Sequence, residues 1–494
     1  MVEQTDVIDT NEIKRRTVVG VASLTSRTLI LQIISLIGTF ILTVILDPRA
    51  YGIFAVVAAS INFLNYFSDI GLAAALVQKK SEPTRTDLVS TFTVQQLLVG
   101  FTVVITLLLS GSIANIYGLD AEGLWVLRAL AIAFMLSSLK TIPSVLLERK
   151  LLFHKLILPQ IVETLSFYTV AIILAIKGFG VASYAWAALV RGTTGTFVLY
   201  LTAPWMPGFG LNKVNIKNLM SFGIPYQANS FVALIKDDLL IVILGKTLGF
   251  ETVGYFVWAK KWSDSTLRLF MDSIVRVTFP AFSRLQHDLS LLGRAIQKSL
   301  SFIALASFPV AIGMTLMIRP FIYTVPNYTK WEPALIMFYF LTFASVLASL
   351  SGPLFNALLA LGRVKITFTL MIMWTVLTYI FVPIGVFLFG TNGLGVAMAV
   401  IGLSSFLPAY FLQKIVSFTL LSSVVKPLMA TLGMVGSILI VFILTKSPSI
   451  QLLVGTIVGG ATYLGLIYIL MGQEVVSYLD LIRKSTSSGV ASKS

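Results

Sequence analysis

Five charged residues recur at every fourth position between residues 260 and 276. They are Lys260, Asp264, Arg268, Asp272 and Arg276, set among Phe256, Leu267, Phe270 and Ile274. Four steps make slightly more than one helical turn, so the spacing predicts a helix whose charged stripe drifts by about 40° per step. Its surroundings are apolar enough for a bilayer, and hydrocarbon cannot solvate ions. Each charge costs roughly 2.5–3.5 kcal/mol at the bilayer centre on the mildest insertion scale. Such a ladder is stable only against protein or a water-filled lumen. The chemistry it offers is anion binding, because Lys260, Lys261, Arg268 and Arg276 outnumber Asp264 and Asp272. The competing reading is mutual neutralisation, since alternating signs at i, i+4 pair along a helix.

Other charges lie inside apolar stretches. Arg27 has no acidic residue within its own run, 17–46, and a guanidinium in a span implies an anion, either another helix's acid or a ligand. Arg191 opens a small, polar stretch, Arg191-Gly192-Thr193-Thr194-Gly195. Arg128 and Lys140 fall near span ends, where long basic side chains snorkel to the interface. Asn62, Asn65 and Asp69 share one helical face, and Gln227 and Asn229 precede Lys236-Asp237-Asp238. Adjacent carboxylates in a membrane invite protonation or a bound cation, or else pair with a neighbour such as Lys236. Asp69, Glu163, Asp237, Asp238 and Asp272 are therefore candidates for coupling to H+ or Na+. Asn62, Asn65, Gln227, Asn229, Lys236, Lys260, Lys261 and Asp264 are candidates to line a polar lumen.

The elements that must position these residues are membrane-spanning helices. The chain has 494 residues, 57% of them hydrophobic and 12% charged, with a mean hydropathy of +0.91. Apolar runs of about 20 residues recur from residue 17 to residue 471, which predicts an all-α polytopic membrane protein. We read fourteen spans: 17–46, 52–77, 88–113, 124–146, 156–176, 179–203, 219–247, 252–282, 299–325, 332–361, 364–389, 392–416, 425–445 and 449–471. The net charge of +15 does not call for nucleic acid. Of 36 Lys and Arg, 21 fall in one alternate set of loops and tails, and six in the other: Arg49, Lys177, Lys246, Arg319, Lys330 and Lys446. The excess of basic residues marks the cytoplasmic side and places both termini there.

A repeat is visible at an offset of 202 residues: Tyr51-Gly52-Ile53-Phe54 corresponds to Val253-Gly254-Tyr255-Phe256. The same offset brings Asp69 beside Asp272 and Arg27 onto Asn229. Parallel repeats are a transporter signature. They predict two six-helix lobes around a central cavity, residues 1–206 and 207–420, with two further helices and a tail in 421–494. The chain has no Cys and only His154 and His287, which excludes disulfides and makes a metal site or cofactor unexpected. A phosphate-cradling loop and a hydrolase triad are both missing, so neither an ATP-driven pump nor an enzyme is indicated.

The order and spacing of short motifs resemble the polysaccharide transporter family within the multidrug/oligosaccharidyl-lipid/polysaccharide flippase superfamily. The residues that carry the resemblance are Tyr51-Gly52-Ile53-Phe54, Asp69-Ile70-Gly71-Leu72, Pro143 with Glu148-Arg149-Lys150, Phe222-Gly223-Ile224-Pro225, Asp238, Leu248-Gly249 with Gly254-Tyr255, and Phe279-Pro280-Ala281-Phe282-Ser283-Arg284-Leu285. The resemblance implies a Wzx-like flippase of the cell (inner or plasma) membrane. Such proteins carry a polyprenyl-pyrophosphate oligosaccharide from the cytoplasmic to the outer leaflet by alternating access. They work beside glycosyltransferases and a polysaccharide polymerase. On that reading Arg27, Arg191, Arg268 and Arg276 hold the pyrophosphate, which Arg binds bidentately. The alternatives are a cation-coupled multidrug exporter, a peptidoglycan-precursor flippase, and a non-transporting scaffold of a glycan assembly complex.

Overall fold

The computed structural model describes the backbone of residues 10–491 apart from 70 and 80. It describes the side chains of residues 27–472 apart from 67–70, 80, 218, 222, 224–226, 228–230, 265–267, 269, 270, 272, 273 and 275–277. Every regular element among the described residues is helical. The chain falls into two compact units, residues 1–257 with 371–379, and residues 258–370 with 380–494.

The first unit opens with α1 (Thr10–Ile45), α2 (Pro48–Asp69), the short α3 (Leu72–Gln78), α4 (Arg85–Tyr117) and α5 (Ala121–Ser138). The short α6 (Thr141–Arg149), α7 (His154–Ile176), α8 (Ala182–Thr202) and α9 (Lys213–Leu234) follow. A π-helical turn at Ile235–Leu239 then leads into α10 (Leu240–Leu285). The second unit holds the rest of α10, α11 (Leu289–Thr324), a 3-10 turn (Thr329–Ala334), α12 (Leu335–Ala360) and most of α13 (Val364–Phe389). It ends with α14 (Gly393–Leu403), α15 (Leu407–Gln413), α16 (Leu420–Leu444) and α17 (Pro448–Ala491).

Nine helical stretches among the described residues are long and apolar enough to cross a membrane, and one of them, Val364–Gln413, takes in two of the predicted spans. The predicted spans 52–77, 179–203, 219–247 and 252–282 are helical as well, and they carry most of the charged residues discussed above. Several predicted spans are built from two helices. Span 52–77 breaks between α2 and α3 at Gly71 (φ 74°), which is pressed against the backbone of Gly223. Span 124–146 breaks at Leu139 and Lys140, between α5 and α6. An unbroken α10 of 46 residues would be about 69 Å long, more than twice the hydrocarbon thickness. Gly249 breaks it, at φ 79° and ψ 165°, a backbone conformation reserved for glycine.

Local chemistry sets the short connections. Thr84 and Asp87 form a capping box at the start of α4, and the same Asp87 carboxylate accepts from Lys79 Nζ at 2.5 Å. Arg149, at the end of α6, donates to the carbonyls of Leu76, Val77, Lys79 and Ser81 at 3.0, 3.2, 2.6 and 2.5 Å. The Leu76 and Val77 carbonyls are ones the end of α3 leaves without intrahelical donors, and the other two lie just past it, so one guanidinium closes that helix and ties α6 to it.

The first turn of α2 crosses α10 just beyond the Gly249 break, and the crossing is reciprocal. A Cβ on Gly52 would lie 1.8 Å from the carbonyl oxygen of Phe250, and one on Gly254 would lie 1.9 Å from that of Pro48. Residues 48 and 250, like 52 and 254, are one repeat offset apart. The two backbones touch where the repeated Gly stands.

In the second unit, Phe282, Leu292, Ile296, Leu300, Leu354 and Leu358 form the heart of a core between α10, α11 and α12. A second cluster is aromatic. Trp258 stacks on Trp331 at 5.3 Å, and Trp258 Nε1 donates to Tyr328 Oη at 3.0 Å, all three side chains being buried. Tyr328 is thus a core anchor.

Candidate functional site

The charged ladder begins as its spacing predicts. On α10, Lys260 Nζ lies 3.4 Å from Asp264 Oδ2, and Arg268 reaches the same oxygen at 4.0 Å. The pairing is lopsided. Asp264 is mostly buried, whereas the Arg268 side chain is 63% exposed and its contact is at the long limit of an ion pair. Lys261, next in sequence, is half-buried. The side chains of Asp272 and Arg276 lie outside the described residues.

The helix that steadies this stretch is α12, which carries no charged residue of its own. Ser345 Oγ donates to Asp264 Oδ1 at 2.6 Å, and Asn356 Nδ2 donates to Thr278 Oγ1 at 3.0 Å. These two bonds tie α10 to α12 at both ends of the segment that carries Arg268.

In the first unit, the polar residues of α2 meet the π-turn. Asn62 hydrogen-bonds the Asp238 carboxylate. Lys236 Nζ lies 3.5 Å from Asp237, the local pair that the sequence offers as the alternative to a bound cation. A π-turn inserts one residue into the helix and leaves carbonyls to be satisfied from outside. Tyr379 Oη donates to the Ile235 carbonyl of the turn at 2.6 Å; earlier, in α9, the Gln227 carbonyl accepts from Tyr66 Oη at 2.7 Å. Asn65 sits exposed on α2. The side chains of Asp69 and Asn229 lie outside the described residues.

Glu163 has a partner that sequence inspection misses. Lys140, at the break between α5 and α6, forms an ion pair with it, and both side chains are largely buried. This corrects the expectation that Lys140 snorkels: the chain turns after Ser138 and directs the ammonium inward. Gly195 of α8 leaves the space, since a Cβ there would lie 2.2 Å from Glu163 Cγ. Removing one member of a buried pair strands the other and costs roughly 3–5 kcal/mol, while replacing both with apolar residues is often neutral. We therefore expect Lys140→Met and Glu163→Gln each to lower the midpoint of thermal unfolding in detergent, and Lys140→Met/Glu163→Leu to recover most of the loss. If Glu163→Gln instead leaves the midpoint unchanged and flattens the dependence of transport on the ion gradient, Glu163 couples transport to a cation.

Arg27 stands within electrostatic reach of Glu148, at the end of α6. Burial pushes the Glu148 carboxyl above its ordinary value, and the Arg27 charge pulls it partly back. A carboxylate of another helix thus lies within the field of Arg27. Arg191 is exposed on α8, its guanidinium 5.9 Å from the centre of the Phe167 ring. Arg128 donates to Ser110 Oγ at 3.0 Å.

These helices make a polytopic membrane protein, and its fold is shared with solved flippase and multidrug-transporter structures. The chain superposes on the lipid II flippase MurJ in its inward closed conformation with a TM-score of 0.75, at 16% identity, over 93% of this chain and 99% of that one. It superposes on the inward-facing conformation of a multidrug resistance MATE family transporter with a TM-score of 0.59, at 14% identity, over 80% of this chain and 100% of that one.

Residues 41–336 match the family described as "Polysaccharide biosynthesis protein", and the chain belongs to that family. It is similar to the lipopolysaccharide biosynthesis protein WzxC of Escherichia coli (strain K12), 23% identical over 408 residues, 81% of each chain. It is also similar to the succinoglycan biosynthesis transport protein ExoT of Rhizobium meliloti (strain 1021), 23% identical over 298 residues, 58% of this chain and 60% of that one.

Proposed function

We propose that this protein is a flippase that moves a polyprenyl-pyrophosphate-linked oligosaccharide from the cytoplasmic to the outer leaflet for cell-surface polysaccharide synthesis, by alternating access. The observation that carries the reading is the excess of base on α10. Lys260 and Arg268 share one described carboxylate, Asp264, Lys261 follows Lys260 in sequence, and the Arg268 guanidinium is exposed. A pyrophosphate needs such cations, and a prenyl tail can remain in lipid while the head group crosses. The family and the names of WzxC and ExoT support polysaccharide export.

In this reading Arg27, Arg191, Arg268 and Arg276 serve the pyrophosphate. The polar residues of α2, of the π-turn and of α10 solvate the sugar. Asp69, Glu163, Asp237, Asp238 and Asp272 are the candidates to couple transport to H+ or Na+. The work is divided between lobes 1–206 and 207–420, with 421–494 appended. The protein sits in the inner or plasma membrane with both termini cytoplasmic, alongside glycosyltransferases and a polymerase. A peptidoglycan-precursor flippase is the second reading, favoured by the extent of the superposition on MurJ.

The test is a deletion strain complemented with the gene. Loss of the protein should trap lipid-linked oligosaccharide on the cytoplasmic leaflet, and complementation should clear it. Trapping of lipid-linked peptidoglycan precursor would favour the second reading. No trapped lipid of either kind would overturn both.

A further inference from the structure

The two oxygens of Asp264 have different work. Oδ1 accepts the hydroxyl of Ser345 at 2.6 Å, so α12 fixes the carboxylate. Oδ2 is turned toward both cations, with Lys260 at 3.4 Å and Arg268 at 4.0 Å. Lys260 and Arg268 stand eight residues apart, about 12 Å along the helix, and lean toward each other over this one oxygen. A mutually neutralising stripe would need no hydroxyl from a second helix. It would also not leave Arg268 63% exposed at the edge of ion-pair distance.

We infer that Asp264, pinned by Ser345, is a positioning residue that holds Lys260 and Arg268 in place and competes with the substrate's anion for them. This inference rests on the proposed function. An arriving pyrophosphate takes over the two cations from Oδ2, and at the far leaflet the same oxygen takes them back and lets the anion go. A transporter needs such a competitor, because a site must bind well enough to load and weakly enough to unload. Two or more bases with no resident carboxylate would hold a polyanion too long. Asp264 therefore lowers affinity and raises turnover, the reverse of what removing an ordinary binding residue reveals.

The experiment uses the full chain purified in nanodiscs, with inorganic pyrophosphate and a short-chain prenyl pyrophosphate as probes. Export of the lipid-linked sugar is measured in the deletion strain and normalised to protein in the membrane. Asp264→Asn should bind both probes roughly fivefold more tightly, the worth of one partly exposed ion pair, and should export several-fold more slowly. Asp264→Glu should restore wild-type behaviour in both assays. Ser345→Ala should shift binding and export in the same directions as Asp264→Asn, by less.

A purely structural Asp264 would lower the amount of folded protein without this opposed change in binding and export. If Asp264→Asn binds no more tightly than wild type while Arg268→Ala loses binding, the inference is overturned and the anion reading stands. If neither variant changes pyrophosphate binding, the anion reading of α10 falls and the inference falls with it. Should Asp264→Asn fail to accumulate, Ser345→Ala decides alone, and unchanged binding in that variant overturns the inference.

Discussion

Gly52→Ala and Gly254→Ala should each cut export to a tenth or less, and the double variant should be little worse than either. The reason is the backbone crossing between α2 and α10. A methyl carbon at Gly52 would lie 1.8 Å from the Phe250 carbonyl oxygen, and one at Gly254 would lie 1.9 Å from that of Pro48. Carbon and carbonyl oxygen approach to about 3.3 Å at closest. Both obstacles are backbone atoms, so no side-chain rotation relieves them and the helices must part by about 1.5 Å.

Overpacking of this kind costs about 1–3 kcal/mol, and a tenfold loss corresponds to about 1.4 kcal/mol. Once the first methyl has opened the seam, the second occupies the same gap, so the two effects should not add. Gly111→Ala is the control. Nothing lies within 4 Å of a Cβ there, and Ala improves helix propensity. Export by either crossing variant at the wild-type rate would mean that the close approach plays no part in transport.

Arg27→Ala should reduce export ten- to a hundredfold, with Arg27→Lys partly active. Losing one charge-assisted contact costs about 1.5–3 kcal/mol, and Lys lacks the planar fork that holds two phosphate oxygens. Glu148 turns this into a sharper test. If Arg27 serves only to offset the Glu148 carboxylate, then Glu148→Gln should rescue Arg27→Ala. If Arg27 holds the substrate's anion, the double variant should accumulate normally and still fail to export. Rescue of export would make Arg27 a structural counter-ion and move the pyrophosphate site elsewhere.

The fold class was legible in the sequence because hydropathy over 20-residue windows is a strong signal. The Lys260–Asp264–Arg268 association was legible because it is local, three residues on one helix at i, i+4 spacing. The missed partners share the opposite property. Lys140 and Glu163 are 23 positions apart and lie on different helices. Arg27 and Glu148 lie on different helices too, and Ser345 is an unremarkable serine in an apolar run. No periodicity links such residues, and only the packing of helices brings them together. The breaks were half legible. Gly71 and Gly249 mark theirs by residue type, whereas the break at Leu139–Lys140 and the π-turn at Ile235–Leu239 have no Gly or Pro of their own. Tyr379 shows what was hidden there, since its hydroxyl answers the extra carbonyl of a turn that propensity does not foresee.

The reciprocal contact at Gly52 and Gly254 has an evolutionary consequence. In the vocabulary of oligomers it is isologous: residue 48 meets the counterpart of residue 52, and residue 52 meets the counterpart of residue 48. A contact of that form binds both glycines alike: a side chain at either one meets a backbone carbonyl, so a single substitution on either helix breaks the crossing. Variation there is closed on both sides, because the obstacles are backbone atoms and no side chain stands in the gap to change in compensation.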